Sequence, residues 1–126
     1  MRRSGSLLTF VLGLVLLPGC GGANIASVRG VVTCKGSPVK EAHLTFAPIA
    51  RSEDDKEPGK PATGFTNAEG VYVLSTYQEL DGALIGNHRV TVTLDDTNPA
   101  ARWARTRKFV LEVKPGDNQL DIKLDQ

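Results

Sequence analysis

From Ser27 onward the chain alternates apolar and polar residues with a period of two, and no long stretch repeats at the helical period. This pattern constrains the fold most, because successive side chains of an extended strand point to opposite faces. Val28, Gly30 and Val32 alternate with Arg29, Val31 and Thr33. Leu44 and Phe46 alternate with His43, Thr45 and Ala47, and Tyr72 and Leu74 with Val71, Val73 and Ser75. His88, Val90, Val92 and Leu94 alternate with Arg89, Thr91 and Thr93, and Phe109, Leu111 and Val113 with Val110, Glu112 and Lys114. The last case is the cleanest: Leu120, Ile122 and Leu124 against the charges of Asp121, Lys123 and Asp125. Thr63 to Thr66 is a weaker seventh candidate. Lys35-Gly36-Ser37-Pro38, Asn67-Ala68-Glu69-Gly70 and Pro115-Gly116-Asp117-Asn118 supply turn chemistry between the runs. The reading is all-β, one antiparallel sandwich or barrel. Residues 50–61, 77–85 and 95–106 do not read as strand, although Asn98-Pro99 predicts one short helical turn capped by Asn98.

The N-terminus carries a different signal. Arg2 and Arg3 precede an uncharged run of 11 residues, Leu7 to Leu17. That length suits the apolar core of a signal peptide and falls short of the about 20 residues that span a bilayer. Leu17-Pro18-Gly19-Cys20 follows and resembles the lipobox of bacterial lipoproteins, with Pro18 standing where Ala, Ser or Thr is commoner. The resemblance implies cleavage before Cys20 and a lipid on its thiol, giving a signal peptide over 1–19 and a lipidated tether over 20–26. Gly21 in place of an Asp after the Cys favours the outer over the inner membrane. With Cys20 carrying lipid, Cys34 has no partner within the chain, and export to an oxidising compartment makes it an expected buried residue.

Charge excludes one class of function. The formal charge is +1, and loss of Arg2 and Arg3 takes it to −1, so nothing draws the chain onto nucleic acid. No Gly-x-Ser-x-Gly elbow is present, and the two histidines, His43 and His88, lie within expected strands on different faces. Cys34, His43 and His88 are too scattered for a structural zinc site. Glu53, Asp54, Asp55 and Glu57 lack the spacing of a calcium loop and read as a solvated acidic loop. No cofactor and no metal site is expected.

Val28-x-Gly30-x-Val32-Thr33-x-x-Gly36-x-Pro38-Val39 is followed by Ala42-x-Leu44-x-Phe46-x-Pro48, then Thr66-Asn67-x-x-Gly70-x-Tyr72-x-Leu74 and Gly86-x-His88-x-Val90-x-Val92. In order and spacing these resemble the carboxypeptidase regulatory-like domains of the wider transthyretin-like group, as in small exported bacterial lipoproteins. Asn67 and His88 depart from the Asp and the Tyr or Phe common in the family. The resemblance implies a seven-stranded antiparallel transthyretin-like or Ig-like sandwich over 27–126. It also implies a non-catalytic binding or structural module whose partner is an envelope protein or glycan. Two alternatives stand beside it: an accessory domain for a separately encoded enzyme or transporter, and a transthyretin-like hydrolase acting on 5-hydroxyisourate. The hydrolase carries a C-terminal Tyr-Arg-Gly-Ser that residues 121–126 lack.

One stretch outside the family pattern invites contacts. Arg102, Trp103 and Arg105, followed by Arg107 and Lys108, surround the single Trp with cations. Arg and Trp anchor interfaces more than other residues do. Trp103 either contacts an acidic partner or folds back as a lid on the sandwich. Labelling cells with a fatty-acid analogue is expected to tag the wild-type chain and not Cys20→Ala; equal labelling of both would overturn the anchor.

Overall fold

The structure, a computed structural model, describes residues 24–102 and 106–125. Cys20, Trp103 and Arg105 lie outside the described residues. Two sheets form a β-sandwich. The first is organised around one ten-residue strand, β1 (Ile25–Cys34), which starts inside the expected tether. Around it lie β2 (Ser37–Pro38), β5 (Val71–Val73), β6 (Ala83–Leu84), β9 (Asp117–Gln119) and β10 (Ile122–Lys123). The second sheet has the order β4-β3-β7-β8, with β3 (His43–Pro48), β4 (Ala62–Phe65), β7 (Gly86–Thr93) and β8 (Thr106–Val113).

The expected seven strands are ten, because the pieces flanking β1 are only two or three residues long. Pairing with one long strand in short segments breaks the ladder wherever β1 changes neighbour. The expected antiparallel rule also fails at one edge. β9 and β10 run parallel to β1, with Val28 opposite Asn118 and Val32 opposite Ile122. The opposite edge takes β6, β5 and β2, all antiparallel.

The alternation read from sequence sets the inside. Val28, Val32, Leu44, Phe46, Tyr72, Leu74, Val90, Val92, Leu94, Val113, Ile122 and Leu124 are buried, while Phe109, Leu111 and Leu120 pack against them partly exposed. The helical turn appears as a 3-10 turn over Pro99–Arg102. Asn98 caps it, its side-chain oxygen accepting the Ala100 N–H at 3.0 Å while its amide donates to the Lys40 carbonyl at 2.8 Å. Ala100 and Ala101 rest on the core.

The C-terminal segment crosses β1 at Gly30. A Cβ there would stand 2.1 Å from the Leu120 carbonyl oxygen and 3.0 Å from the Tyr72 ring. Only glycine admits this approach. The Tyr72 hydroxyl donates to the same Leu120 carbonyl. Burial, with the Asp121 charge nearby, pushes the Tyr72 phenol well above its ordinary range, so it remains a donor. Asp121, by alternation a plain surface position, accepts the Val31 N–H at 2.9 Å and the Gln119 amide at 2.7 Å. The charge stays outside and serves the edge of β1.

Gly30→Ala is expected to cost about 3 kcal/mol, the upper end of overpacking losses, in urea melts. Ile122→Ala should cost about 2–5 kcal/mol. Asp121→Ala should cost about 1 kcal/mol, the size of one net hydrogen bond; a neutral Asp121→Ala would show that the contact with Val31 contributes nothing.

Candidate functional site

The two sheets meet at the edges of β4 and β5 and then part. Thr63 and Ser75 exchange backbone hydrogen bonds at 2.9 and 3.0 Å, but the bridge is isolated. Continued by one step of the ladder it would pair Phe65 with Val73. Instead the Asn67 turn takes over the edge of β5. The Asn67 side-chain oxygen accepts the N–H groups of Glu69 and Val71, both at 2.9 Å, and the Asn67 N–H donates to the Val71 carbonyl. Asn suits this turn because its side-chain oxygen accepts the N–H two residues on. At Gly64 the strands are still close: a Cβ would lie 2.9 Å from the Val73 carbonyl oxygen.

Where β4 and β5 diverge they leave an open groove of about 420 Å³. Phe65 of β4, Val71 and Val73 of β5, and Leu80 of the following loop give it apolar walls, and Glu79 brings a carboxylate. Phe65 and Leu80 are 68% and 59% exposed, and Tyr77 on the same loop is 54% exposed. Large apolar side chains left outside in one neighbourhood mark a contact surface more than a scattered one does. The Phe65 ring lies against the His43 imidazole at a centroid distance of 4.7 Å, and the Lys60 ammonium stands 5.4 Å from the Tyr77 ring centre.

The loop that presents Tyr77 and Leu80 is fixed by side chains in place of a strand partner. The Asp81 carboxylate accepts the N–H groups of Thr76 at 2.7 Å, Tyr77 at 3.0 Å and Gln78 at 2.9 Å. The Ser75 hydroxyl accepts the Leu80 N–H at 2.7 Å, and the Thr76 hydroxyl donates to the Gly82 carbonyl at 2.7 Å. Leu80 itself sits at a φ of 59°, a conformation costly for a branched side chain. Desolvation pushes the Asp81 carboxyl up, but the converging backbone N–H groups outweigh it and hold it below the ordinary carboxylate value.

The residues singled out by sequence are dispersed. His43 is half-buried on the outer face of the four-stranded sheet, whereas His88 is buried on its inner face. His88 Nε2 lies 2.6 Å from the Leu84 carbonyl oxygen; a carbonyl only accepts, so the proton is on Nε2. Nδ1 has no partner, and the Phe46 ring lies 5.8 Å away. Cys34 is buried, as expected. Arg102 ends the 3-10 turn. Among the described residues no group of three His, Cys, Asp or Glu side chains is placed to hold a metal ion. Phe65, Tyr77 and Leu80 were not visible as a site in the sequence. The one signal was Phe65, an apolar residue on the outward parity of its strand.

No protein-family model matches the chain, and no curated protein matches it either. Solved structures do. A DUF3823 family protein from Parabacteroides merdae superposes with a TM-score of 0.52 at 17% identity, covering 81% of this chain and 46% of that one. The dioxygenase domain of a dioxygenase carbohydrate-binding protein fusion from the cellulolytic bacterium Streptomyces sp. SirexAA-E superposes with a TM-score of 0.51 at 14% identity, covering 86% and 84%. The chain thus spans a little under half the length of the DUF3823 protein. At these identities the likeness shows the fold alone: a β-sandwich shared with bacterial proteins of differing descriptions.

Because the Asp81 value is depressed in the folded state, its contribution to stability is complete above the unfolded carboxylate range near about 4 and is lost as pH falls through the lower folded value. Asp81→Asn is therefore expected to lower the melting temperature at pH 7 and to narrow its gap from wild type as the pH falls below the ordinary carboxylate value, followed by circular dichroism. An unchanged gap at low pH would show that the charge does not hold the loop.

Proposed function

We propose that this chain is a non-catalytic binding module of the bacterial cell envelope, a carboxypeptidase regulatory-like sandwich anchored through lipid on Cys20. The observation that carries the binding reading is the groove between β4 and β5, with Phe65, Leu80 and Tyr77 exposed on a framework fixed by Asn67 and Asp81. Pre-organised loops on a rigid sandwich suit recognition, since little entropy is lost when they bind. The chemistry fits a glycan. The Phe65 ring offers an apolar face for a sugar ring, and the Glu79 carboxylate accepts sugar hydroxyls.

Arg102, Trp103 and Arg105 belong to the same proposed surface. β8 starts at Thr106, in the row that continues through Thr93 and His43 to Phe65. Three strand spacings of about 4.8 Å place the start of β8 roughly 14 Å from Phe65. An extended polymer could touch both.

A catalytic reading has less support. His43 and His88 face opposite sides of one sheet and share no site. An accessory domain for another enzyme or transporter would use the same exposed groove with a protein partner in place of a glycan.

Titration of the purified full chain with soluble peptidoglycan fragments, followed by tryptophan fluorescence and calorimetry, tests the reading. Phe65→Ala is expected to weaken binding roughly tenfold, the scale of one aromatic stacking contact, with the melting temperature unchanged. Trp103→Ala should weaken it by about 2 kcal/mol. No saturable binding by the wild type would overturn the glycan. A Trp103→Ala chain that binds normally but melts earlier would make Trp103 a lid.

A further inference from the structure

Among the described residues, the outer edge of β8 is the longest unpaired edge of the sandwich. In the four-stranded sheet β8 pairs only with β7, and among the described residues no strand lies on its other side. Which backbone groups face that side follows from the ladder. The Ile49 N–H donates to the Asn87 carbonyl at 2.9 Å, so Asn87, and with it Arg89, Thr91 and Thr93, turn their backbone groups toward β3. His88, Val90 and Val92 then bond to Leu111, Phe109 and Arg107. The N–H and C=O groups of Thr106, Lys108, Val110 and Glu112 are left pointing outward from the sheet. Edges of this length are usually blunted by charge, a bulge or a proline. Here Val110 stands in the middle, 66% exposed, with Lys108 and Glu112 two residues to either side on the same face.

That arrangement is complementary to itself. We propose that β8 is a self-recognition edge through which two copies of this chain pair antiparallel about a two-fold axis at Val110, joining their four-stranded sheets into one. Antiparallel pairing about Val110 places Val110 against its own copy and Lys108 against Glu112 of the other copy, twice by symmetry. On the inner face Phe109 meets Leu111, covering two core residues that the single chain leaves partly exposed. Centring the axis on Lys108 or on Glu112 would set each charge against itself, so charge selects the register. Within one chain neither is neutralised across the ladder: Lys108 faces Thr91 and Glu112 faces Asn87. Pairing ends at Glu112, because the backbone of Lys114 is already taken by the Asn118 side chain at 2.9 and 2.8 Å.

Sedimentation of the purified full chain in mild detergent over a range of concentrations tests this. The wild type is expected to dimerise, and Lys108→Glu or Glu112→Lys each to weaken the dimer at least about tenfold through like-charge contacts. The double variant, with the charges exchanged, should return to within about threefold of wild type. Val110→Pro removes an outward N–H that serves no bond within the chain, so it should abolish the dimer and leave the melting temperature within a few degrees. A wild type that stays monomeric up to about 1 mM, a double variant as weak as the single ones, or a Val110→Pro chain that still dimerises would each overturn the proposal.

Discussion

The fold depends on satisfying the backbone of one ten-residue strand along both of its edges. β1 runs through the centre of its sheet, and every buried N–H and C=O it carries needs a partner. On one side three short antiparallel pieces supply them; on the other the C-terminal segment does so in parallel, through β9 and β10. The crossing at Gly30 is the tightest point. There the Leu120 backbone passes where any side chain would stand, and the Tyr72 hydroxyl clasps the carbonyl that passes. Asp121 then caps the Val31 N–H from outside. Every other segment of that sheet is short because its task is limited to one stretch of β1.

This central role explains why the sandwich opens at one seam. β5 is committed to β1 and β4 to β3, and the two can share only the Thr63–Ser75 bridge before the sheets diverge. Beyond it the edge of β5 still needs hydrogen bonds. Asn67 supplies them, and Asp81 does the same for the loop after β5. Side-chain oxygens cap the backbone without filling the space a strand would occupy. The groove is the volume left by that substitution, and Phe65 and Leu80 line it exposed because among the described residues no element covers them.

Two of the buried polar side chains, Tyr72 and His88, differ in how far they are satisfied. Tyr72 spends its single proton on Leu120. His88 gives its Nε2 proton to Leu84 and keeps Nδ1 unpaired beside Phe46. A Phe at that position would fill a similar space without the orphaned acceptor, at the loss of the bond to Leu84. Retaining His88 leaves a buried polar atom that contributes a desolvation cost to folding and no chemistry that the site uses.

The inward faces of β1, β3, β5, β7, β8 and the C-terminal segment were legible as alternation, since a period of two commits each side chain to one face before any partner is known. The Asn98 cap was legible too, being a local interaction between neighbours in sequence. The parallel direction of β9 and β10 was not, because alternation carries no sign of strand direction. Nor was the role of Asp121, whose partner lies ninety positions away. The groove escaped for the same reason. Phe65, Tyr77 and Leu80 are unremarkable singly and become a surface only when β4 and β5, held by different central strands, are brought edge to edge and kept from closing. The sequence alone determined which side of each strand faces the core, because that is a local property of extended backbone; the tertiary structure decided which edges meet, because that follows from satisfying backbone groups across the whole chain.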